Sequence, residues 1–350
     1  MTADAVGGVW TYALDLVRAL RAHDVEVVLA TLGPRPDEAQ RGEARAAGVA
    51  ELRESDLRLE WMDDPWDDVE ASGEWLAALA REEGADAVHL NSFAPGAAES
   101  TRPVVLVGHS CVCSWWRAVH EEEAPPAWRR YRAAVREALV AADAVVAPTR
   151  AMLAALEREY GVDGGLVIHN GSPAPPVEHA AKEPFVAGAG RLWDEAKSLA
   201  TLDAAARGLP WPVVVAGDVG GRGPAHARAL GRLSRTQIAL VLRRAAVFAH
   251  PALYEPFGLA PLEAARAGCA LVLGSIPSLR EVWGEAALYV DPRDPGALRS
   301  ALAALVEDDR LRAEMAGRAR ARSGRYSLDR MAREYARLYA RLVESASVTA

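Results

Sequence analysis

Short apolar runs alternate with alanine-rich amphipathic stretches along most of the chain. Apolar runs of this length are typical of strands buried on both faces, and the stretches between them have helical spacing. In the first half the predicted strands are 25–30, 87–90, 104–108, 144–147 and 166–169. In the second half they are 185–189, 213–216, 247–249, 270–273 and 287–290. The alternation predicts parallel sheets with crossover helices.

Residues 173–184 separate the two sets of strands, and they are rich in proline and lack a hydrophobic period. Such a composition is typical of a stiff linker. The pattern therefore predicts a first Rossmann-like domain over 1–172 and a second over 185–325, facing each other across a cleft. Over 326–345, apolar residues recur with the spacing of one helical face, namely Leu328, Met331, Tyr335, Leu338, Tyr339 and Leu342.

Length and charge narrow the function classes. A chain of 350 residues has ample material for two domain cores. Its net charge of −8 argues against nucleic acid as a partner. No apolar stretch suits a signal peptide or a membrane span, so we expect a cytoplasmic protein. The three cysteines are too few for a disulfide framework and lack a second ligand pair for zinc, so we expect reduced thiols.

Two glutamates, Glu255 and Glu263, lie where the predicted strand 247–249 runs into a helix. Glu255 is predicted in the loop at the strand's carboxyl end, and Glu263 in the first helical turn. Open α/β sheets bind ligands at this edge, and backbone N–H groups at a helix start favour an anion. The N–H groups concerned belong to Phe257, Gly258 and Leu259. One carboxylate can accept hydrogen bonds from ribose hydroxyls while the other meets a hexose.

The stretch 250–265 resembles the donor-binding motif of family-four glycosyltransferases, which are retaining enzymes with a GT-B fold. Gly268 and the segments 277–281 and 287–292 fit the continuing pattern of the family. The resemblance covers nearly all of the chain and is most specific in the second domain. It implies a nucleotide-diphosphate sugar as donor. It also implies that the last helix crosses back to the N-terminal domain; a helix that closes the second domain is the alternative.

Two cations, Arg191 and Lys197, follow the first predicted strand of the second domain. A guanidinium and an ammonium on either side of a turn can close on one anion. The resemblance implies that they hold the donor's diphosphate, where fixed cations stabilise the leaving group and replace a metal. Gly188 and Gly190 suggest a dinucleotide fingerprint, but Trp193 stands where its third glycine is required. We therefore predict neither a cofactor nor a metal.

The remaining site candidates come from the resemblance. Gly7 and Gly8 match the family's first glycine loop, although a tight turn alone would also require them. His109 aligns with the family's cleft histidine, which contacts the donor sugar or phosphate; a purely structural histidine is the alternative. Gly231 and Leu233 lie in the segment that the family places beside the nucleobase.

The sequence is thus interpreted as a retaining hexosyltransferase, with Arg191, Lys197, Glu255 and His109 as its catalytic group. A nucleotide-sugar isomerase of the same fold and a noncatalytic sugar-nucleotide-binding protein are the alternatives. The acceptor is left open as a carbohydrate, a lipid-linked sugar or a small molecule. The basic stretch 128–136 would suit a lipid surface, but the acidic residues at 121–123 oppose it, so membrane contact is less favoured.

The beginning of the chain breaks the pattern. Only five residues precede Val6 and the glycine loop, which is short for a strand of usual length. We therefore expect the first strand of the sheet to be missing here, with the natural chain extending upstream of Met1.

Overall fold

The backbone forms two units, which we describe separately. The computed structural model describes residues 1–97, 100–173, 181–221 and 223–349. The first unit takes Met1–Arg117, Glu121–Gly171 and the last helix, and the second takes Ser172–Ser327 with Ala118–His120. Of the predicted linker, residues 174–180 lie outside the described residues, and Glu183 already belongs to a strand.

The first unit holds two parallel sheets. Its strands are β1 (Thr2–Asp4), β2 (Val28–Leu32), β3 (Glu51–Glu54), β4 (Val88–Leu90), β5 (Val104–Val107), β6 (Ala144–Ala147) and β7 (Leu166–Val167). They are ordered β1-β2-β3 in one sheet and β4-β5-β6-β7 in the other. The helices between them are α1 (Gly8–Leu20), α2 (Glu38–Ala47), α3 (Trp66–Glu82), α4 (Val112–His120), α5 (Arg129–Ala141) and α6 (Arg150–Tyr160).

The second unit holds one parallel sheet. Its strands are β8 (Glu183–Ala189), β9 (Val213–Ala216), β10 (Arg228–Ala229), β11 (Ala245–His250), β12 (Ala270–Gly274) and β13 (Leu288–Val290). Its helices are α7 (Leu199–Ala206), α8 (Arg235–Arg244), α9 (Leu259–Arg266), α10 (Pro277–Trp283), α11 (Pro295–Glu307) and α12 (Asp309–Ser323). Short 3-10 helices cover Arg21–His23, Ala94–Ala97, Pro126–Trp128, Glu195–Lys197 and Gly284–Ala286.

The strand order of this sheet, β10-β9-β8-β11-β12-β13, reverses between β8 and β11. Alternate residues of the central strands enter two separate cores, because successive side chains of a strand point to opposite faces. Ala187, Phe248 and Leu271 belong to one core, and Val186, Val247 and Val272 to the other. Burial on both faces explains why these strands are continuous apolar runs, and the predicted α/β class with parallel sheets is confirmed.

The sequence pattern missed three strands, all at the ends of their sheets, and two of them lack an apolar run. β3 has the sequence Glu-Leu-Arg-Glu and is at most half-buried, and β10 consists of two exposed residues. Edge strands tolerate charged side chains because they are not covered on both faces, so no apolar run marks them.

The third missed strand is β1, and the expectation that the first strand is missing is wrong. Three residues suffice because Met1 extends the ladder with β2: its ammonium donates to Val28 O (2.8 Å), and its carbonyl accepts from Ala30 N (2.8 Å). On the other side of β1, Asn91 replaces a backbone ladder. Its N–H donates to Thr2 Oγ1 (2.8 Å) and its side-chain amide to Thr2 O (2.6 Å).

The last helix, α13 (Leu328–Thr349), belongs to the first unit and packs on α1. Met331, Tyr335 and Leu338 on its predicted apolar face are buried. The helix begins two residues later than the predicted 326. Tyr326 instead joins the core of the second unit, where its hydroxyl donates to Val282 O (2.8 Å).

Candidate active site

The loops that follow β8 and β11 meet at the carboxyl edge of the second unit's sheet. This is the point where the strand order reverses, which is where open α/β sheets bind ligands. Asp194 fixes the first loop by accepting a hydrogen bond from Ala196 N (3.0 Å). Leu253 N, in the second loop, donates to Ala196 O (2.8 Å), so the two loops are joined through their backbones.

This junction brings three polar side chains together. Lys197 Nζ lies 3.0 Å from Glu255 Oε2 and also donates to Tyr254 O (3.2 Å). His250 Nε2 lies 3.1 Å from the same Glu255 oxygen. We call these three residues the Lys197–Glu255–His250 cluster. It is largely buried, since the side chains of Lys197 and Glu255 are 11% and 18% exposed.

The cluster holds Glu255 in its ionised form. Burial by itself would raise the pKa of the Glu255 carboxyl, but the Lys197 ammonium and the His250 ring outweigh it. The pKa consequently lies well below its ordinary value of 4.5. An ionised carboxylate only accepts hydrogen bonds, so His250 donates to it through an Nε2–H group.

Among the described residues, Arg191 and Lys197, the two residues predicted to hold the diphosphate, contact different partners. Arg191 lies near Asp194 Oδ2 (3.5 Å) and extends over the ring of Trp193, whereas Lys197 contacts Glu255. Arg191 is 46% exposed, so its guanidinium is accessible to a ligand. Lys197 and Glu255 were predicted to contact different parts of the donor, and in the structure they form an ion pair.

His250 is the residue that sequence reasoning missed. It ends β11, five residues before Glu255, and its exposure is only 4%. A polar ring at the carboxyl end of an otherwise apolar strand was the available signal. In the donor motif 250–265, His250 is the first residue and no role was predicted for it.

Glycines let three loops of this edge pack backbone to backbone. A Cβ on Gly217 would lie 1.9 Å from Gly190 O, and the φ of Gly217 is +142°. Gly217 N donates to Gly231 O (2.9 Å), which places the segment after β10 beside the other two. Leu233 of that segment packs against the core, while a Cβ on Gly231 would meet no atom within 4 Å.

The start of α9 differs in detail from the prediction. Gly258 caps the helix with φ +94°, so the helix begins at Leu259. Glu263 is therefore the fifth residue of α9 and lies in the second turn, not the first. Its carboxylate is 3.7 Å from Arg235. Phe257 is buried in the core, so that only its backbone is near the loop surface.

The first unit carries the other predicted site residues. Gly7 precedes α1 with φ +83°, a conformation that favours glycine, and a Cβ on Gly8 would meet no atom within 4 Å. His109 Nε2 lies 2.8 Å from Asn91 Oδ1, and its ring packs edge-on against Tyr12. Burial lowers the pKa of His109 to about 3, so the ring is neutral.

Asn91, which sequence reasoning also missed, holds two histidines at once. Its Oδ1 accepts from His109 and lies 3.1 Å from His89 Nε2. His89 Nδ1 is in turn 2.6 Å from the hydroxyl of Tyr339 in α13. Since an amide oxygen only accepts, both rings carry their proton on Nε2.

Among the described residues, no group of three or more His, Cys, Asp and Glu side chains is arranged to hold a metal ion. The described helices also include none that combines the length and the hydropathy needed to cross a membrane. The three cysteines, which all lie among the described residues, are buried and form no disulfide with one another.

Two family models match the sequence. Residues 6–173 match Glycosyltransferase Family 4, and residues 222–322 match Glycosyl transferases group 1. The chain belongs to glycosyltransferase family 4. The resemblance recognised in the donor motif is thereby confirmed.

Curated relatives of this family-4 chain match parts of it. Glycogen synthase of Mycobacterium tuberculosis is 37% identical over 103 residues, which are 29% of this chain and 24% of that protein. D-inositol 3-phosphate glycosyltransferase of Xylanimonas cellulosilytica is 31% identical over 244 residues, or 58% of each chain. The chain thus spans less than two thirds of either relative.

Solved structures match the family-4 chain over almost its whole length. Sucrose-phosphate synthase from Thermosynechococcus elongatus has a TM-score of 0.78 at 19% identity, covering 97% of this chain and 94% of that one. Anabaena HepE in complex with UDP-glucose has a TM-score of 0.72 at 18% identity, covering 96% and 97%. At this identity the likeness establishes the fold, which is that of the GT-B glycosyltransferases.

Proposed function

We propose that the protein transfers a hexose from a nucleotide-diphosphate sugar to an acceptor hydroxyl, with retention and without an obligatory metal. The observation that carries the proposal is the Lys197–Glu255–His250 cluster at the switch point of the second unit's sheet. A buried, ionised carboxylate held at a ligand-binding edge is suited to accept hydrogen bonds from sugar hydroxyls.

Cations and the helix start would hold the diphosphate. The accessible guanidinium of Arg191 offers a planar fork, and Lys197 offers a point charge. The N–H groups of Gly258 and Leu259 at the start of α9 add positive potential. Because the diphosphate leaves with growing negative charge, these fixed groups would stabilise the transition state in place of a metal ion. Retention would follow from front-face attack assisted by the leaving phosphate, as the family resemblance implies.

The two glutamates would read different parts of the donor. Glu255 would accept from the hexose hydroxyls and Glu263 from the ribose hydroxyls. Gly231 and Leu233 would lie beside the nucleobase. In the first unit, the neutral His109 and the glycines at the start of α1 would complete the donor and acceptor contacts.

Relatives guide the choice of substrates. The complexes of Anabaena HepE with UDP, UDP and glucose, and UDP-glucose support a uridine donor as the first one to test. The name of the Xylanimonas relative supports a polyol phosphate among the acceptors tested. Carbohydrate, lipid-linked and small-molecule acceptors all belong in the panel.

The test is a screen of UDP-, GDP- and ADP-sugars by thermal shift, followed by release of the nucleoside diphosphate with acceptor candidates. We expect one donor to bind and to be turned over, with activity retained in excess EDTA. Transfer that disappears with EDTA and returns with magnesium or manganese would overturn metal independence. Binding without transfer or hydrolysis would favour a noncatalytic protein, and interconversion of the donor sugar would favour an isomerase.

A further inference from the structure

His250 is a polar side chain buried in the second unit. Its one described polar contact is with Glu255. Its ring is stacked against Phe248, with 6.2 Å between centroids and 23° between planes. Packing alone would be served as well by a second phenyl ring. The imidazole differs from a phenyl ring by the Nε2–H group that it directs at Glu255.

Both donors of the cluster converge on the same oxygen of Glu255. Lys197 Nζ and His250 Nε2 lie 3.0 and 3.1 Å from Oε2. Oε1 accepts no hydrogen bond from the part of the chain that the structure describes. It is also not among the buried polar atoms that lack a hydrogen-bond partner. The arrangement therefore fixes the carboxylate through Oε2 and leaves Oε1 without a donor among the described residues.

The backbone of the loop is fixed as well, so the point from which the Glu255 side chain extends is set. Ser278 Oγ donates to Glu255 O (2.5 Å), and Leu253 N donates to Ala196 O. With the backbone held at both places, the side-chain rotamer is set by His250 and Lys197. If Lys197 contacts the diphosphate, its ammonium is shared between the phosphate and Glu255. The only described polar contact of His250, in contrast, is Glu255.

We propose that His250 is a positioning residue that orients Glu255, so that Oε1 accepts from a hydroxyl of the transferred hexose. This inference rests on the proposed function, because it assigns the hexose to the same site. His250 itself would not touch the sugar. It would hold Glu255 when the arriving diphosphate competes for Lys197.

The test separates the sugar contact from the nucleotide contact. The affinities of the nucleotide sugar and of the free nucleoside diphosphate are measured on the full chain, and their ratio gives the contribution of the hexose. His250→Phe keeps the ring and its packing but removes the donor. His250→Gln keeps an N–H donor of similar reach, and Glu255→Gln serves as the reference for loss of the carboxylate.

For His250→Phe we expect the hexose contribution to fall by about 10- to 100-fold, as expected for a lost hydrogen bond to a charged group. Binding of the nucleoside diphosphate should stay within about threefold, because the phosphate contacts remain. His250→Gln should recover most of the hexose contribution. At a saturating acceptor concentration, kcat should fall together with kcat/KM, since the misoriented carboxylate also loses its hydrogen bond to the hexose in the transition state.

Three outcomes overturn the inference. The hexose contribution is unchanged in His250→Phe, or both ligands weaken equally in it, or His250→Gln is no better than His250→Phe. Equal weakening would mean a purely structural histidine. Failure of the wild-type chain to bind any nucleotide sugar would instead overturn the proposed function, so the two failures are distinguishable.

Discussion

Glu255 is the residue whose state depends most on its neighbours. It is a mostly buried carboxylate, and burial opposes its charge. Lys197 and His250 reverse that effect through a direct ion pair and a hydrogen bond. Removing one partner should therefore affect stability as well as function.

Lys197→Met should cost up to about 3–5 kcal/mol of folding free energy, because it leaves a buried carboxylate without its cation. Adding Glu255→Gln should restore most of that stability, since the unpaired charge is then gone. Turnover should fall by about two orders of magnitude in both variants. Urea unfolding and a transfer assay check this. A double variant no more stable than Lys197→Met would contradict the ion-pair argument.

Arg191→Ala removes the exposed cation and is compared with Lys197→Met, which removes the buried one. Its only described charged neighbour, Asp194, is 3.5 Å away, so little stability should be lost. Turnover should nevertheless drop by about two orders of magnitude if Arg191 contacts the diphosphate. Near-normal turnover of purified Arg191→Ala would sink that assignment.

The depressed pKa of Glu255 also predicts a pH dependence of stability. A carboxyl whose folded pKa lies below the unfolded value of 4.5 contributes stability that is fully present above that pH and is lost as the pH falls further. Melting temperatures measured from pH 6 to pH 3 should therefore fall less steeply in Glu255→Gln than in the wild type. Parallel curves would contradict the predicted ionisation.

At the scale of elements, the site is a set of loops held together by their backbones. The loops after β8, β9 and β10 are in contact at Gly190, Gly217 and Gly231. Close backbone approach of this kind excludes side chains from Gly217, and its positive φ adds to the restriction.

Gly217→Ala should destabilise the protein by about 1–3 kcal/mol, because a Cβ there overlaps a carbonyl oxygen that cannot move without its loop. Donor affinity should fall as well, since the displaced loop carries Arg191. Gly221→Ala is the control, because its Cβ would meet no atom within 4 Å. Chemical unfolding and donor titration of both variants check the prediction, and equal behaviour of the two would refute it.

At the scale of the whole molecule, the chain returns to its first unit at the end. Helix α13 comes after the entire second unit in sequence, yet its apolar face packs on α1. The stability of the first unit therefore depends on residues more than 300 positions from its start.

Tyr335→Ala should lower the free energy of unfolding by about 3–5 kcal/mol, because a fully buried aromatic side chain is removed from the contact between α13 and the rest of the first unit. The exposed Arg337 of the same helix, changed to Ala, should have little effect. Unfolding with and without nucleoside diphosphate identifies the two transitions, because the ligand should raise the midpoint of the second unit's transition only. A loss of stability in that transition alone would contradict the assignment of α13.

The class of the fold and the segments of the donor motif follow from the amino-acid sequence alone. Strands buried on both faces must be apolar throughout, so β6 and β9 were predicted with the bounds that the structure shows. Edge strands such as β3 and β10 escaped prediction because solvent accepts their charged residues. Gly258 caps α9 so that Leu259 is its first residue, which places Glu263 in the second turn and not in the predicted first turn.

Contacts between distant side chains, in contrast, follow from the way the strands are arranged in space. Lys197 and Glu255 are 58 positions apart, and no local sequence pattern predicts that Lys197 and His250 contact the same oxygen of Glu255. Their contact depends on the strand order, which places β11 next to β8 although two strands intervene in sequence. Asn91 likewise joins His89, His109 and Thr2 only because β4 lies beside β1. Hydrophobic periodicity records which face of an element is buried, whereas the partner across that face is set by topology.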